Sequence, residues 1–129
     1  MKPRRKSGTR PRAPLSRERL LEAAMSLADS RGLEAVSMRE VAKRLGVEAM
    51  SLYKHVANKD DILDGLVDRV IAEMEMPAQG ADWRAGLRAR ALSARQVLLR
   101  HPWAGMLIES RSSPGPARLR HHNGVIRLL

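Results

Sequence analysis

The sequence predicts an all-α protein, and three observations support this prediction. The chain has 129 residues, enough for one ordinary domain or for one small domain and part of a second. Its only aromatic residues are Tyr53, Trp83 and Trp103, so aliphatic residues and Met must build the core, whereas β-sandwiches draw on aromatic and β-branched residues. Apolar residues recur every three or four positions between Gly and Pro breaks, and no strand pattern or repeat is visible.

Composition excludes several classes of protein. Because the chain has no Cys, disulfide scaffolds, cysteine-ligated zinc, iron–sulfur clusters and thiol catalysis are excluded. No uncharged apolar run approaches the ~20 residues that a membrane helix needs. The basic start, MKPRRKSGTRPR, is not followed by the apolar core of a secretory signal. We therefore expect a soluble, cytoplasmic protein without a membrane partner.

The formal net charge of +10 is unevenly distributed. Residues 1–12 carry six Lys or Arg and no acid, residues 13–79 carry nine bases against twelve acids, and residues 80–129 carry nine Arg against two acids. A basic excess favours a polyanionic partner such as nucleic acid. A high-GC coding bias is an equally good explanation for the Arg-rich final segment, so the charge alone does not decide.

The first helix is predicted after a basic arm. Residues 1–15 contain four prolines and glycines that prevent a regular element, so we expect a disordered arm. Ser16 can cap a helix that Gly32 ends. The inward positions of this helix are expected to be Leu20, Leu21, Ala24, Leu27 and Ala28.

Three more helices are predicted before residue 77. Ser37 and Glu40 have the spacing of a capping box, and the short helix that they open ends at Gly46. Another short helix is expected over residues 49–55. Asn58 then caps a long helix that ends at Pro77 and has the clearest helical period in the chain. Its apolar positions are Ile62, Leu63, Leu66, Val67, Val70, Ile71 and Met74.

The remaining residues predict three further helices after a Pro/Gly/Ala linker at 77–81. Asp82 caps a helix that continues to about Arg100, and the His-Pro step at 101–102 breaks it. A short helix follows over residues 103–111, then a turn at 112–116 and a last helix from about Ala117. The apolar side of the first of these helices is expected to contain Trp83, Leu87, Ala91, Ala94 and Leu98.

The two short helices around Gly46 are typical of a helix-turn-helix. Gly46 permits the positive φ that reverses the chain, and Ala42 lets the helices approach closely. In this motif the second helix enters the major groove of DNA. An ordinary helical hairpin is the alternative, but the short helices, the capping box and the basic outer face favour DNA recognition. The outer positions are Ala49, Met50, Ser51, Tyr53, Lys54 and His55.

Residues 16–76 resemble the DNA-binding domain of the tetracycline-repressor family, most specifically in the string LYKHVANKDDIL. Residues 77–129 resemble the start of the ligand-binding domain in the branch of the tetracycline repressor itself. The resemblance implies an N-terminal three-helix DNA-binding domain, a long connecting helix and a partial C-terminal regulatory domain. It also implies a double-stranded DNA operator with an inverted repeat, an unknown small-molecule effector and a homodimer in the full-length protein.

The resemblance also implies roles for single residues. Arg39 matches a position that reaches a base edge, and an arginine can bind guanine O6 and N7 bidentately. Ala49 and Met50 match base-facing positions but offer only apolar contact. The remaining matches are to phosphate-contacting positions: Ser37, Ser51, Tyr53, His55 and Lys59. His55 has a second interpretation as a capping or packing histidine. Tyr53 has a second interpretation as a side chain that lies half in the core and half in contact with a phosphate.

The C-terminal part is expected to hold the effector among its helices. For each residue that could line this pocket, the competing interpretation is that it belongs to the ordinary core between the helices. The candidate pocket residues are Met74, Trp83, Leu87, Ala91, Ala94, Leu98, Trp103 and Leu107. His101, His121, His122 and Glu109 do not have the spacing of a compact metal site. We therefore expect no metal and no cofactor.

Two other function classes compete with a repressor. An enzyme is disfavoured because the sequence has no Gly-rich phosphate loop, nucleophile elbow or paired carboxylates. An architectural nucleic-acid-binding protein remains the alternative, since the basic arm and the Arg-rich end would suffice for it. We also expect that a complete regulator continues beyond Leu129, and that the isolated chain is largely monomeric and binds DNA weakly.

Overall fold

The fold was derived from a computed structural model, which describes residues 14–76, 80, 82–112 and 114–129. Within these ranges the regular structure is entirely helical, and the all-α prediction is confirmed. Residues 1–13 of the basic arm, Pro77 with most of its linker and one residue of the 112–116 turn lie outside the described residues. The helices are α1 (Arg17–Arg31), α2 (Met38–Leu45), α3 (Ala49–Leu52), α4 (Lys59–Ala72), α5 (Trp83–Arg100), α6 (Ala104–Ser110) and α7 (Pro116–Leu128).

Helices α1, α2 and α4 begin where expected because a local side chain satisfies a free amide at each of these N-termini. The Ser16 hydroxyl accepts a hydrogen bond from the Arg19 amide at 3.1 Å, and the Ser37 hydroxyl accepts one from the Glu40 amide at 3.1 Å. Asn58 Oδ1 accepts from the Asp61 amide at 2.9 Å and so starts α4. These three predicted caps are confirmed.

Helix α4 is the element that both halves of the chain share. On one side α1 packs against α4 and α2, and α2 packs against α3. On the other side α5, α6 and α7 each pack against α4. Leu20, Leu52, Ile62 and Leu66 are fully buried, and a single apolar cluster continues from them to Val97 and Leu107. The two halves therefore have a common core.

Two predicted helices are too long. The helix expected over residues 49–55 has only the four residues of α3, since residues 53–55 form turns closed by the bond from the His55 amide to the Leu52 carbonyl at 2.9 Å. This early end lets Val56 enter the core, where it is 3% exposed. Helix α4 ends at Ala72 rather than at Pro77, yet Met74 is still buried.

The predicted apolar side of α5 is wrong at two positions. Trp83 is 45% exposed and its ring lies beneath the Arg84 guanidinium, and Ala91 is also exposed. The buried residues of α5 are instead Gly86 and Val97. Gly86 is buried because α7 packs against it at this point. A Cβ placed on Gly86 would lie 2.8 Å from a methyl carbon of Leu128. A short 3-10 turn, Leu33–Ala35, was not predicted.

Candidate nucleic-acid interface and effector groove

A glycine turn joins α2 to α3 and fixes the geometry of the helix-turn-helix. Gly46 adopts φ 72° and ψ 32°, the left-handed conformation in which a side chain is strained. Its amide bonds the Lys43 carbonyl at 3.2 Å, and the Val47 amide bonds the Ala42 carbonyl at 3.0 Å. This pair of bonds is a Schellman motif, which ends α2 and turns the chain directly into α3.

The residues expected at the interface lie on three successive elements. Ser37 caps α2, and Arg39 is exposed in the first turn of that helix. On α3, Met50 is 77% exposed, whereas Ala49 and Ser51 are half-buried. The other four positions follow α3 or begin α4: Tyr53 and Lys54, which are exposed, His55, which is half-buried, and Lys59, which is exposed.

Three cations of this surface have no partner in the part of the chain that the structure describes. Among the described residues, no ion pair or side-chain hydrogen bond involves Arg39, Lys54 or Lys59. Neighbouring arginines are engaged, because Arg31 pairs with Glu40 at 3.1 Å and Arg44 donates to the Ser26 hydroxyl at 2.6 Å. The cations without a partner among the described residues therefore lie on or beside the same elements as the predicted interface.

An arginine clamp, which the sequence did not reveal, joins the start of α1 to the start of α4. Arg17 binds Asp61 through two hydrogen bonds, at 3.0 and 3.1 Å, and its guanidinium also approaches the His55 carbonyl at 3.4 Å. The hydrogen bonds from Arg17 and from the Ala57 amide lower the pKa of Asp61. The clamp holds the segment that follows α3 against the first helix.

The other acids of α4 bind the C-terminal half. Asp64 accepts a hydrogen bond from Arg111 Nε at 2.7 Å, and this bond raises the pKa of Arg111. Asp68 accepts from the backbone amides of Ala117 at 3.2 Å and Arg118 at 3.1 Å. A carboxylate at the N-terminus of a helix also suits the helix dipole, so Asp68 caps α7 from another helix.

His101 bridges three helices at the junction between the two halves. It is 7% exposed, its Nδ1 lies 2.7 Å from Asp29 of α1, and its Nε2 lies 3.0 Å from Glu73 at the end of α4. Trp103 Nε1 also donates to Asp29 at 2.7 Å, and Arg100 pairs with Glu73 at 2.9 Å. Burial lowers the pKa of His101, but the bonds to both carboxylates outweigh it, and the pKa is raised.

A groove of about 380 Å³ opens between α4, α5, α6 and α7. Its apolar wall consists of Ile71, Met74, Ala94, Leu98, Ile108 and Val125. Its polar residues are Arg90, Arg118, His121 and His122. We name it the α4–α7 groove.

Three of the eight expected pocket residues, Met74, Ala94 and Leu98, line the α4–α7 groove. Of the others, Trp83 and Ala91 are exposed and Leu87 is half-buried on α5, Trp103 bonds Asp29, and Leu107 is buried in the core. The histidines of α7 were considered only as metal ligands in the sequence, so their place in this groove was missed.

The described residues include no cluster of three or more acids or histidines arranged to hold a metal ion. No described helix is long and apolar enough to cross a membrane.

Two family models match the chain. The model for bacterial regulatory proteins of the tetR family matches residues 20–66, and the model for the tetracyclin repressor-like C-terminal domain matches residues 76–129. The chain is also 40% identical over 121 residues to the HTH-type transcriptional repressor DrrR1 of Streptomyces coeruleorubidus, covering 92% of this chain and 45% of that protein. The chain thus spans about half the length of the curated relatives it matches.

Solved structures are similar in fold as well as in sequence. The Streptomyces coelicolor protein ActR in complex with actinorhodin superimposes with a TM-score of 0.83 at 31% identity, over 91% of this chain and 55% of that one. A TetR-family transcriptional regulator from Streptomyces coelicolor gives a TM-score of 0.70 at 31% identity, over 89% of this chain and 69% of that one.

Proposed function

Because the chain belongs to the TetR family of bacterial transcriptional regulators, we propose that it represses transcription by binding a specific DNA operator and leaves that operator when a small molecule binds. The family is one of regulators rather than enzymes. The proposed setting is the cytoplasm, and the proposed operator is an inverted repeat that is held by two copies of the protein.

The observation that carries this proposal is the exposed, uncompensated surface around α3. Arg39, Lys54 and Lys59 have no partner among the described residues, while the nearby acid Asp61 is bound to Arg17. Unpaired cations on and beside the elements of a helix-turn-helix suit a phosphate backbone, which contributes much of the affinity of such proteins for DNA. Met50, exposed at the start of α3, suits an apolar contact in the major groove.

The roles proposed for single residues follow the division between base and phosphate contacts. Arg39 is the proposed base reader, with Ala49 and Met50 in apolar contact with base edges. The proposed phosphate contacts, which set the register on the duplex, are Ser37, Ser51, Tyr53, Lys54, His55 and Lys59.

The α4–α7 groove is the proposed effector site. Its wall includes Ile71 in the last turn of α4 and Met74 just after that helix. The start of α4 is joined to the DNA-binding half by the Arg17–Asp61 clamp. A ligand that moves α4 would therefore move both halves, since they share one core. The relative ActR is described in complex with actinorhodin, which supports the binding of a small molecule by this chain.

Selection of bound sequences from random duplex DNA tests the function directly. We expect recovery of an inverted repeat whose half-sites are centred about one helical turn, ~34–36 Å, or a multiple of it apart. Tight binding without any recovered consensus would instead favour the architectural nucleic-acid-binding protein and would overturn the repressor proposal.

A further inference from the structure

The α4–α7 groove contains two buried polar atoms that have no partner within the described part of the chain. They are Nε of Arg90 and Nδ1 of His121. His121 is only 4% exposed, and burial lowers the pKa values of both side chains. A buried polar atom without a partner costs free energy, so a group that binds there and pairs with it is favoured.

The charged residues that line the groove have a single sign. None of the ten described residues that line the groove is acidic, whereas two are arginines and two are histidines. Arg90 donates from Nη1 to the Met74 sulfur at 3.3 Å, which is a weak acceptor. Arg118 donates to the Arg111 carbonyl at 2.9 Å. An anion would satisfy the free Nε donor of Arg90 and balance its charge, and the planar guanidinium suits a carboxylate or a similar oxyanion.

We propose that the α4–α7 groove selects an anionic amphipathic ligand, whose carboxylate, sulfonate or phenolate binds Arg90 and His121 while its apolar body lies against the wall of the groove. This inference rests on the effector site proposed above and adds the chemical class of the effector. A guanidinium can bind an oxyanion through two parallel hydrogen bonds, and such charge-assisted bonds are stronger than neutral ones. The six apolar wall residues suit a flat hydrocarbon or aromatic body.

Protonation of His121 would strengthen this site. Three charged groups act on its imidazole: Arg90 of α5 and Arg120 of α7 lower its pKa, and Asp68 of α4 raises it. The net pKa is lowered, so the imidazole is largely neutral near pH 7.5 and gains its charge below the usual value of about 6.5. An anion that binds the charged form therefore binds more tightly as the pH falls.

A matched pair of fluorescent probes tests the proposal. 1-Anilinonaphthalene-8-sulfonate and N-phenyl-1-naphthylamine have the same aromatic body and differ only in the sulfonate group. We expect the sulfonate to bind the full chain on the order of tenfold more tightly than the neutral probe, since one charge-assisted contact separates them. Its affinity should rise further between pH 7.5 and pH 5.5.

Variants assign the preference to the groove. Arg90→Met should abolish most of the preference for the sulfonate and leave the affinity for the neutral probe unchanged. Arg90→Lys should keep most of the preference because it keeps the charge. Arg95→Met removes an exposed arginine from the same helix, and it should behave like the unmodified chain. His121→Gln should reduce the pH dependence, which provides a second test if Arg90→Met fails to fold.

Three outcomes would overturn the proposal: equal affinity for both probes, an unchanged preference in Arg90→Met, or equal losses in Arg90→Met and Arg95→Met. If a second copy of the chain covers the groove instead, the bound fraction of the sulfonate will fall as both components are concentrated together, and this also overturns it. Parallel anisotropy titrations with DNA separate this failure from a failure of the repressor proposal, because DNA binding does not require an anionic effector.

Discussion

Arg39 and Lys59 are both exposed cations, but different contacts are expected of them. Arg39→Ala should reduce operator affinity by about 1–3 kcal/mol and relax the preference at one base position. Lys59→Ala should weaken binding to operator and random DNA alike and reduce the slope of log K against log salt by about 1. Fluorescence anisotropy titrations with both DNAs at several salt concentrations measure these differences.

Lys43→Ala serves as the control, because this lysine is exposed on α2 but is not among the proposed contacts. It should change operator affinity less than either variant. If Arg39→Ala weakened binding to operator and random DNA by the same factor, Arg39 would be a phosphate contact and base readout by it would be wrong.

His101 makes the contact between the two halves dependent on pH. Its pKa is raised in the folded protein, so the protonated form contributes stability fully below the unfolded value of about 6.5. That contribution is lost as the pH rises through the raised folded pKa. The free energy of unfolding of the wild type should therefore exceed that of His101→Gln by more at pH 6 than at pH 9.

Urea unfolding at several pH values between 6 and 9 measures this difference. His122→Gln, which alters an exposed histidine of α7, is the control and should show no such trend. If the difference in the free energy of unfolding between wild type and His101→Gln stays constant across this pH range, the contacts of His101 with Asp29 and Glu73 do not depend on its charge.

At the scale of the helix, the turn at Gly46 has a conformational requirement that can be measured. Gly46→Ala places a side chain at φ 72° and should lower the free energy of unfolding by about 1–2 kcal/mol. Gly105→Ala is the matched control, since Gly105 lies within α6 and a Cβ there would meet nothing within 4 Å. This control should be neutral or stabilising by about 0.5–1 kcal/mol in the same urea titrations. Similar losses in both variants would contradict the strain argument.

Helix α7 depends on α4 for its N-terminal cap. Asp68→Ala removes the acceptor of the Ala117 and Arg118 amides and should lower the free energy of unfolding by about 1 kcal/mol. Hydrogen exchange should quicken first at these two amides. Glu22→Ala, which removes an exposed acid that lies 3.9 Å from Arg69, should have little effect on either measurement. Unchanged exchange in Asp68→Ala would show that α7 is held by its apolar packing alone.

At the scale of the molecule, the six cations of residues 1–12 should add affinity for DNA without adding sequence preference. Replacing all six by Gln, which keeps the length of the arm, should reduce the slope of log K against log salt by at most about 5. The ratio of operator to random affinity should stay the same. Anisotropy titrations between low and moderate salt measure both quantities, and an unchanged slope would mean that the arm does not reach the DNA.

Shared packing on α4 gives the proposed regulation a physical route. One apolar cluster includes Leu20 of α1, Ile62 of α4 and Leu107 of α6, so displacement of α4 disturbs the packing of both halves. Polar contacts also join α4 to both halves, since Asp61 binds Arg17 of α1 and Asp64 binds Arg111 of the C-terminal half. Packed interiors resist small deformations, so a ligand in the groove is expected to shift α4 between discrete arrangements rather than bend it gradually.

Local chemistry in the sequence was enough to predict the helices and their order. Ser16, Ser37 and Asn58 cap the amides three residues ahead, and Gly46 ends α2, because these interactions form within one turn of the chain. The family resemblance rests on residues of the same segments. For this reason the all-α class and the helix-turn-helix were readable before any tertiary contact was known.

Contacts between residues far apart in the chain could not be read in this way. His101 meets Asp29 across 72 positions, Asp68 caps a helix about 50 positions later, and Arg17 binds Asp61 across 44. The apolar periodicity of the sequence does not show which of these residues contact each other, because each contact depends on how the helices pack around α4. The same packing shortens α3 so that Val56 can be buried, exposes Trp83, and brings Arg90 and His121 to one groove.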